Sequence, residues 1–159
     1  MRLVQATAAY TGHKLAFTAG AEFGLSVGGV KLSEPVAACV HLASQPLASS
    51  PSPSVQLWPG NKDQAGQASV LQWLMSSSAD LRHSVLGAAG PTEVGHPYTG
   101  SNPGTMASSK AALLTSLSGL NTLLQDRTYL VGERLSIADI AVATVLVPAF
   151  TKVSEDLIE

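Results

Sequence analysis

The stretch TYLVGERLSIADIAVATVL, residues 128–146, carries more local order than any other part of this chain. Ser136 is placed as a helix N-cap, because its hydroxyl can accept a hydrogen bond from a free amide of the first turn. Asp139, three residues on, can answer back to the Ser136 amide in a short-armed capping box. Its charge also faces the positive end of the helix dipole. Leu135 before the cap and Ile140 after the first turn are spaced as a hydrophobic staple. Gly132 supplies a turn just upstream, so Tyr129, Leu130 and Val131 are expected to run extended and pack. The following IADIAVATVLVPAF is apolar on nearly every face, which predicts a helix buried all round. Such a helix organises a fold; it is not by itself a reaction site.

Composition sets the outer limits. A chain of 159 residues suggests one domain, or one and a remnant of another. Hydrophobic residues make up 45% and charged ones 13%, which excludes a disordered acidic chain or a basic tail. The net charge is −2 and the nine Lys and Arg are scattered from Arg2 to Lys152. They form no basic stripe, so this segment is not expected to bind nucleic acid directly. The single cysteine, Cys39, excludes an internal disulfide and fits a reducing compartment. No run reaches the roughly 18 apolar residues that span a bilayer, and Gln5, His13 and Lys14 argue against a signal peptide. The expectation is a cytoplasmic protein with no membrane partner.

Along the chain, LVQATAAYTG reads as a short helix and KLAFTAG as a strand ended by Gly20. FGLSVGGVKL reads as a hairpin around Gly28 and Gly29. SEPVAACVHLAS reads as a helix with Ser33 at the cap and Pro35 in the first turn. SQPLASSPSPS, residues 44–54, is the best linker candidate. From Asp63 the chain turns helical, with Val70, Trp73, Leu74, Leu81 and Val85 on one face. Residues 87–108 hold five glycines, three prolines and no periodicity, so a long loop is expected there. SKAALLTSLSGLNTLLQ then sets Leu113, Leu117, Leu120 and Leu124 on one stripe of a further helix.

The phrase LNTLLQDRTYLVGERLSIADIAVATVL closely resembles the helical C-terminal half of the glutathione transferase fold. In that family the Ser and Asp matching Ser136 and Asp139 form the capping box of the core helix. VLQWLMSSSADL is similar to the family's fourth helix. The wording looks most like the translation-associated members. These are the gamma subunit of elongation factor 1 and the domains appended to several eukaryotic aminoacyl-tRNA synthetases and their scaffold proteins. The similarity covers residues 119–147, with weaker support from 69–81. It implies a mainly α fold: a glutathione transferase-like helical C-terminal domain, residues 51–159, behind a reduced thioredoxin-like α/β layer, residues 1–50.

The N-terminal part departs from the enzymes of that family. Their thioredoxin-like domain takes about 80 residues, whereas fewer than 50 precede the linker here. The enzymes carry a cis-proline before the hairpin, and no proline precedes Pro35 in this chain. They also present a Ser and free helix amides to the γ-glutamyl carboxylate. Here Glu34 and Pro35 stand in that place, one repelling an anion and the other lacking a donor. Thr7, Tyr10 and Thr11 are available as thiolate-activating hydroxyls, with no recognisable strand to position them.

Each sharper reading has a plainer competitor. Ser136 and Asp139 could belong to a hydrolase constellation, but their spacing matches a cap and no histidine lies nearby in sequence. His13, His41, His83 and His96 lack metal-ligand spacing and read as solvated or hydrogen-bonded residues. Cys39 reads as a small buried hydrophobe, and Trp73 as core. The expectation is therefore no catalytic residue, no cofactor and no metal. What remains is a non-catalytic interaction domain that assembles an aminoacyl-tRNA synthetase or elongation factor 1 into a larger complex. Its partner would be another glutathione transferase-like domain of a translation protein, or a second copy of this chain. Val36 and Val40 on the N-terminal helix and Tyr98 on the long loop are the candidate interface residues, and Val40→Glu is expected to leave the fold intact. The competing reading is a divergent transferase that conjugates glutathione to electrophiles.

Overall fold

The computed structural model describes residues 2–16, 24–27, 29–45, 56–89 and 103–152. In chain order the elements are α1 (Arg2–Thr11), β1 (Leu25–Val27), β2 (Val30–Leu32), α2 (Pro35–Ser44) and α3 (Gln64–Ser76). A π-helical turn (Ser77–Leu81) joins α3 directly to α4 (Arg82–Ala89), and α5 (Pro103–Leu124) and α6 (Ile137–Lys152) follow. Helices α1, α2, α3 and α4, together with the π turn, all pack against α6, while α5 lies on α4. The main core is built from Leu57, Val70, Leu74, Leu81, Val85, Leu113, Leu120, Leu130, Ile137 and Ala141. Leu57, Leu74, Leu113 and Ile137 are at most 1% exposed, and each such side chain stabilises the fold by roughly 1.5–3 kcal/mol. A smaller cluster under α1 and α2 holds Val4, Ala8, Ala38, Cys39 and Leu42.

The start of α6 is where separate segments meet. Asp139 Oδ2 accepts from the Ser136 amide at 2.8 Å and from the Ser136 hydroxyl at 2.9 Å. Its Oδ1 accepts from the Leu130 amide at 2.8 Å. Ser136 Oγ in turn accepts from the Ala138 amide at 3.3 Å. The Ile137 amide donates to the Leu57 carbonyl at 3.0 Å, and the Ile140 amide reaches the Ser136 carbonyl at 3.5 Å. These bonds satisfy helix-end amides that would otherwise be buried without acceptors. They also tie residues 57, 130 and 136 to one helix end. Gly132, at φ 65°, makes the turn between Leu130 and the cap.

Other ends follow equally local rules. Helix α1 closes with Gly12 at φ 74°, the His13 amide on the Ala8 carbonyl and the Gly12 amide on the Ala9 carbonyl, a Schellman ending. Asp63 caps α3 by accepting from the Gly66 amide at 2.8 Å. Gln67 then holds the turn before it through the carbonyls of Pro59 and Gly60. The hairpin pairs Val27 with Val30 in antiparallel register and turns at Gly29, φ 83°.

Several expectations are corrected. Helix α2 is entered at Glu34, whose side chain makes no capping bond, and not at Ser33. Pro35 at the first helical position fixes that register. Residues 87–108 are not all loop: Gly87 and Ala89 belong to α4, and α5 begins at Pro103. Gly87 is a close-approach residue, since a Cβ there would collide with Ser109 of α5. A proline opens α5 because its lost amide is unneeded in a first turn. Helix α6 is not buried all round; Val147 is 45% and Phe150 65% exposed. Residues 128–131 bend and form no strand. Leu124 is exposed, whereas Trp73, half-buried, does pack against the main core. Most of the linker candidate, the end of KLAFTAG and Tyr98 lie outside the described residues.

Removing the cap should be measurable. Ser136→Ala is expected to cost about 1 kcal/mol. Asp139→Ala should cost about 2–3 kcal/mol, since two amides and a hydroxyl lose a charged acceptor. The double variant should fall short of the sum, because the groups form one network. Urea unfolding midpoints check this, and coincident curves for wild type and variants would refute it.

Candidate functional site

The described surface holds a cleft of about 420 Å³ where the two ends of the molecule meet. The starts of α1 and α2 form one wall, through Arg2, Leu3, Glu34, Pro35 and Val36. The π turn, α4 and the middle of α6 form the other, through Ser77, Ser78, Arg82, Val85, Leu86, Thr144, Val145 and Pro148. Its volume falls in the roughly 300–1,000 Å³ of ordinary ligand clefts.

The hydroxyls of this cleft are committed to backbone. Ser77 donates to the Leu74 carbonyl at 3.0 Å, Ser78 to Met75 at 3.1 Å and Thr144 to Ile140 at 2.6 Å. Only their lone pairs face a ligand. Pro148 has no amide to return to the Thr144 carbonyl four residues back, so the helix ladder loses a bond at the cleft wall. The mobile charges are Arg2, Arg82 and Glu34, all exposed. None of the three makes an ion pair among the described residues. At the mouth of α2, Glu34 places a carboxylate and Pro35 withholds an amide where an anion would approach the helix start.

The hydroxyls considered as thiolate activators lie elsewhere. Thr7 and Thr11 are buried in α1 and donate to the carbonyls of Leu3 and Thr7, at 2.9 Å each. Tyr10 is 56% exposed. None of them lines the cleft. Cys39 is fully buried; burial pushes its thiol up from the ordinary value of 9.0, against a side-chain hydrogen bond with Thr7 that lowers it. Among the histidines, His13 Nδ1 pairs with Thr11 Oγ1 at 2.8 Å. His41 buries Nε2 with no partner among the described residues, and His96 lies outside them. Among the described residues, no group of three or more His, Cys, Asp or Glu is placed to hold a metal. No helix there is long and apolar enough to cross a membrane.

Of the candidate interface residues, Val36 and Val40 are half-buried and pack against the main core, and Val36 also lines the cleft. The expectation that Val40→Glu would leave the fold intact is therefore corrected: a carboxylate there would be driven into the core. Arg2, Ser77, Ser78 and Arg82 carry no motif, and the sequence reading did not single them out. The π turn that brings three of them to the wall is a one-turn irregularity of a kind common at functional sites. No residue pattern announces it.

The Cys39 environment makes a pH prediction. A raised folded-state value means that the stability from this thiol is present in full below the unfolded value. It is lost as pH rises through the folded one. Wild type should therefore lose stability above pH 9 more steeply than Cys39→Ala, by thermal melts across that range. Parallel slopes would contradict it.

Comparison with known proteins fits this geometry. The family described as Glutathione S-transferase, C-terminal domain, matches residues 98–155. The chain is 37% identical over 86 residues to the probable elongation factor 1-gamma of Caenorhabditis elegans, covering 54% of this chain and 21% of that protein. The GST-like domain of elongation factor 1-gamma from Saccharomyces cerevisiae superposes with a TM-score of 0.62 at 26% identity, covering 77% of this chain and 53% of that one. The chain thus spans about a fifth of the length of the first and about half of the second. The two-stranded sheet with α1 and α2 fits a reduced thioredoxin-like layer, and the helices from α3 to α6 fit the C-terminal half. Over residues 98–155 the chain thus matches the glutathione transferase C-terminal family, and it is similar in sequence and in structure to elongation factor 1-gamma.

Proposed function

We propose that this domain is non-catalytic and serves as a protein–protein interaction module of the translation apparatus. It would dock elongation factor 1, or an aminoacyl-tRNA synthetase, into a larger cytoplasmic complex through another domain of the same fold. The observation that carries this reading is the start of α2. There the exposed Glu34 carboxylate and the amide-less Pro35 line the cleft, at the positions that the resemblance matches to the enzymes' contact with the γ-glutamyl carboxylate. A like charge and a missing donor both act against that ligand. Similarity to elongation factor 1-gamma supports the translation setting. A core that is kept while a ligand site is lost leaves the surface free for partners.

The competing reading, a divergent glutathione transferase, draws on the arginines Arg2 and Arg82 at the same cleft. Calorimetric titration of reduced glutathione into the folded domain separates the two. Binding no tighter than millimolar is expected, and micromolar binding would overturn the non-catalytic reading. Glu34→Ser alone should not create binding, because Pro35 still withholds its amide. The assembly role is checked by affinity capture from a eukaryotic lysate, read by mass spectrometry. Recovery of elongation-factor subunits or synthetases is the expected result; a folded domain that recovers neither would refute it.

A further inference from the structure

The cleft that fits glutathione poorly has a chemistry of its own. Its floor is apolar, from Leu3, Val85, Leu86 and Val145, and its rim carries two arginines, with no ion pair among the described residues, against one carboxylate. Val85 and Leu86 are 1% and 8% exposed, so that floor is well packed and already shaped. The lining hydroxyls have spent their protons on backbone carbonyls. The guanidinium groups are therefore the side-chain donors on offer. A chain with a net charge of −2 that sets two arginines over an apolar floor, neither ion-paired among the described residues, is not simply showing its average surface.

We infer that the cleft is the docking point for an acidic amphipathic segment of the protein partner. Its carboxylates would pair with Arg2 and Arg82, and its apolar side chains would cover the floor. This rests on the assembly reading and gives its partner a chemistry. A small inorganic anion would meet the arginines but leave the floor wet, whereas a basic segment would face the two guanidinium groups. Arginine is suited to this role because its planar fork takes a carboxylate in two parallel bonds. Such rim charges act mainly on encounter rate and salt dependence.

The test uses a fluorescein-labelled synthetic peptide with leucine and glutamate at helical spacing, read by anisotropy against the whole chain. A second peptide carries lysine for glutamate. Arg2→Glu and Arg82→Glu are compared with Arg127→Glu, an exposed position outside the cleft. Both cleft arginines are exposed, and melting curves confirm folding of each variant. The expected result is binding of the acidic peptide alone, weakened about tenfold or more by either cleft variant and by added salt, and unchanged by Arg127→Glu. Inorganic phosphate should compete only weakly. Equal binding of both peptides, wild-type affinity in the cleft variants, or full displacement by phosphate at matched concentration would each overturn the inference. Lysate capture with the Arg2→Glu, Arg82→Glu double variant separates its failure from that of the assembly reading. If wild type and double variant recover the same translation proteins equally, the cleft is not the docking point and the assembly reading stands. If wild type recovers none, the assembly reading falls and takes this inference with it.

Discussion

One carboxylate holds the architecture in register. Asp139 takes the Leu130 amide on one oxygen and the Ser136 amide and hydroxyl on the other. The neighbouring Ile137 amide takes the carbonyl of Leu57. The loop from Leu130 to Ser136 and the distant segment at Leu57 are thereby fixed at the same helix end. The constraint behind this is the helix terminus itself. Ile137 and Ala138 are fully buried, so water cannot satisfy the first amides of α6, and the protein must. A buried amide without a partner costs about 1–3 kcal/mol, a large fraction of a domain's net stability. Once that end is satisfied, α1, α2, α3 and α4 can pack against the same helix.

The N-terminal layer depends on α6 in a different way. Among the described residues its two short strands form a hairpin, which is marginal alone. What holds it is α1 and α2 packed on each other and against α6, with Cys39 and Ala38 fully buried between them. Thr7 and Thr11 sit inside this layer only because each returns its hydroxyl proton to a carbonyl one helical turn back. Small residues dominate here, so α1 and α2 can approach closely without a full sheet beneath them. A reduced layer therefore need not unfold; it becomes a cover for α6.

Much of this was legible in the sequence because it obeys short-range rules. The helix start at Ser136, the helix at LVQATAAY and the hairpin around Gly29 each follow from spacing within a few residues. Pro35 likewise put the start of α2 within one residue. The failures have physical causes too. Gly87 and Pro103 read as breakers, yet one permits the approach of α5 and the other begins it. Apolarity on every face of α6 read as complete burial, but burial depends on neighbours, and Val147 and Phe150 stay exposed. The cleft was the least legible feature. Arg2 and Arg82 stand 80 positions apart, and only the packing of α1 and α4 against α6 brings them to one opening.

Helix α6 carries both the fold and the cleft, and its length keeps them apart. The cap lies at Ile137, while the cleft is lined by Thr144, Val145 and Pro148. At 1.5 Å per residue the separation is about 10–16 Å along the axis. Substitutions that far apart, with no shared partner, act nearly independently. Changes at the mouth of α2 or on the cleft wall can therefore accumulate while the network at Asp139 still holds the helix. The same separation lets Glu34 and Pro35 stand at the cleft of an otherwise well-capped fold, where the chemistry of the surface, not the stability of the core, decides what binds.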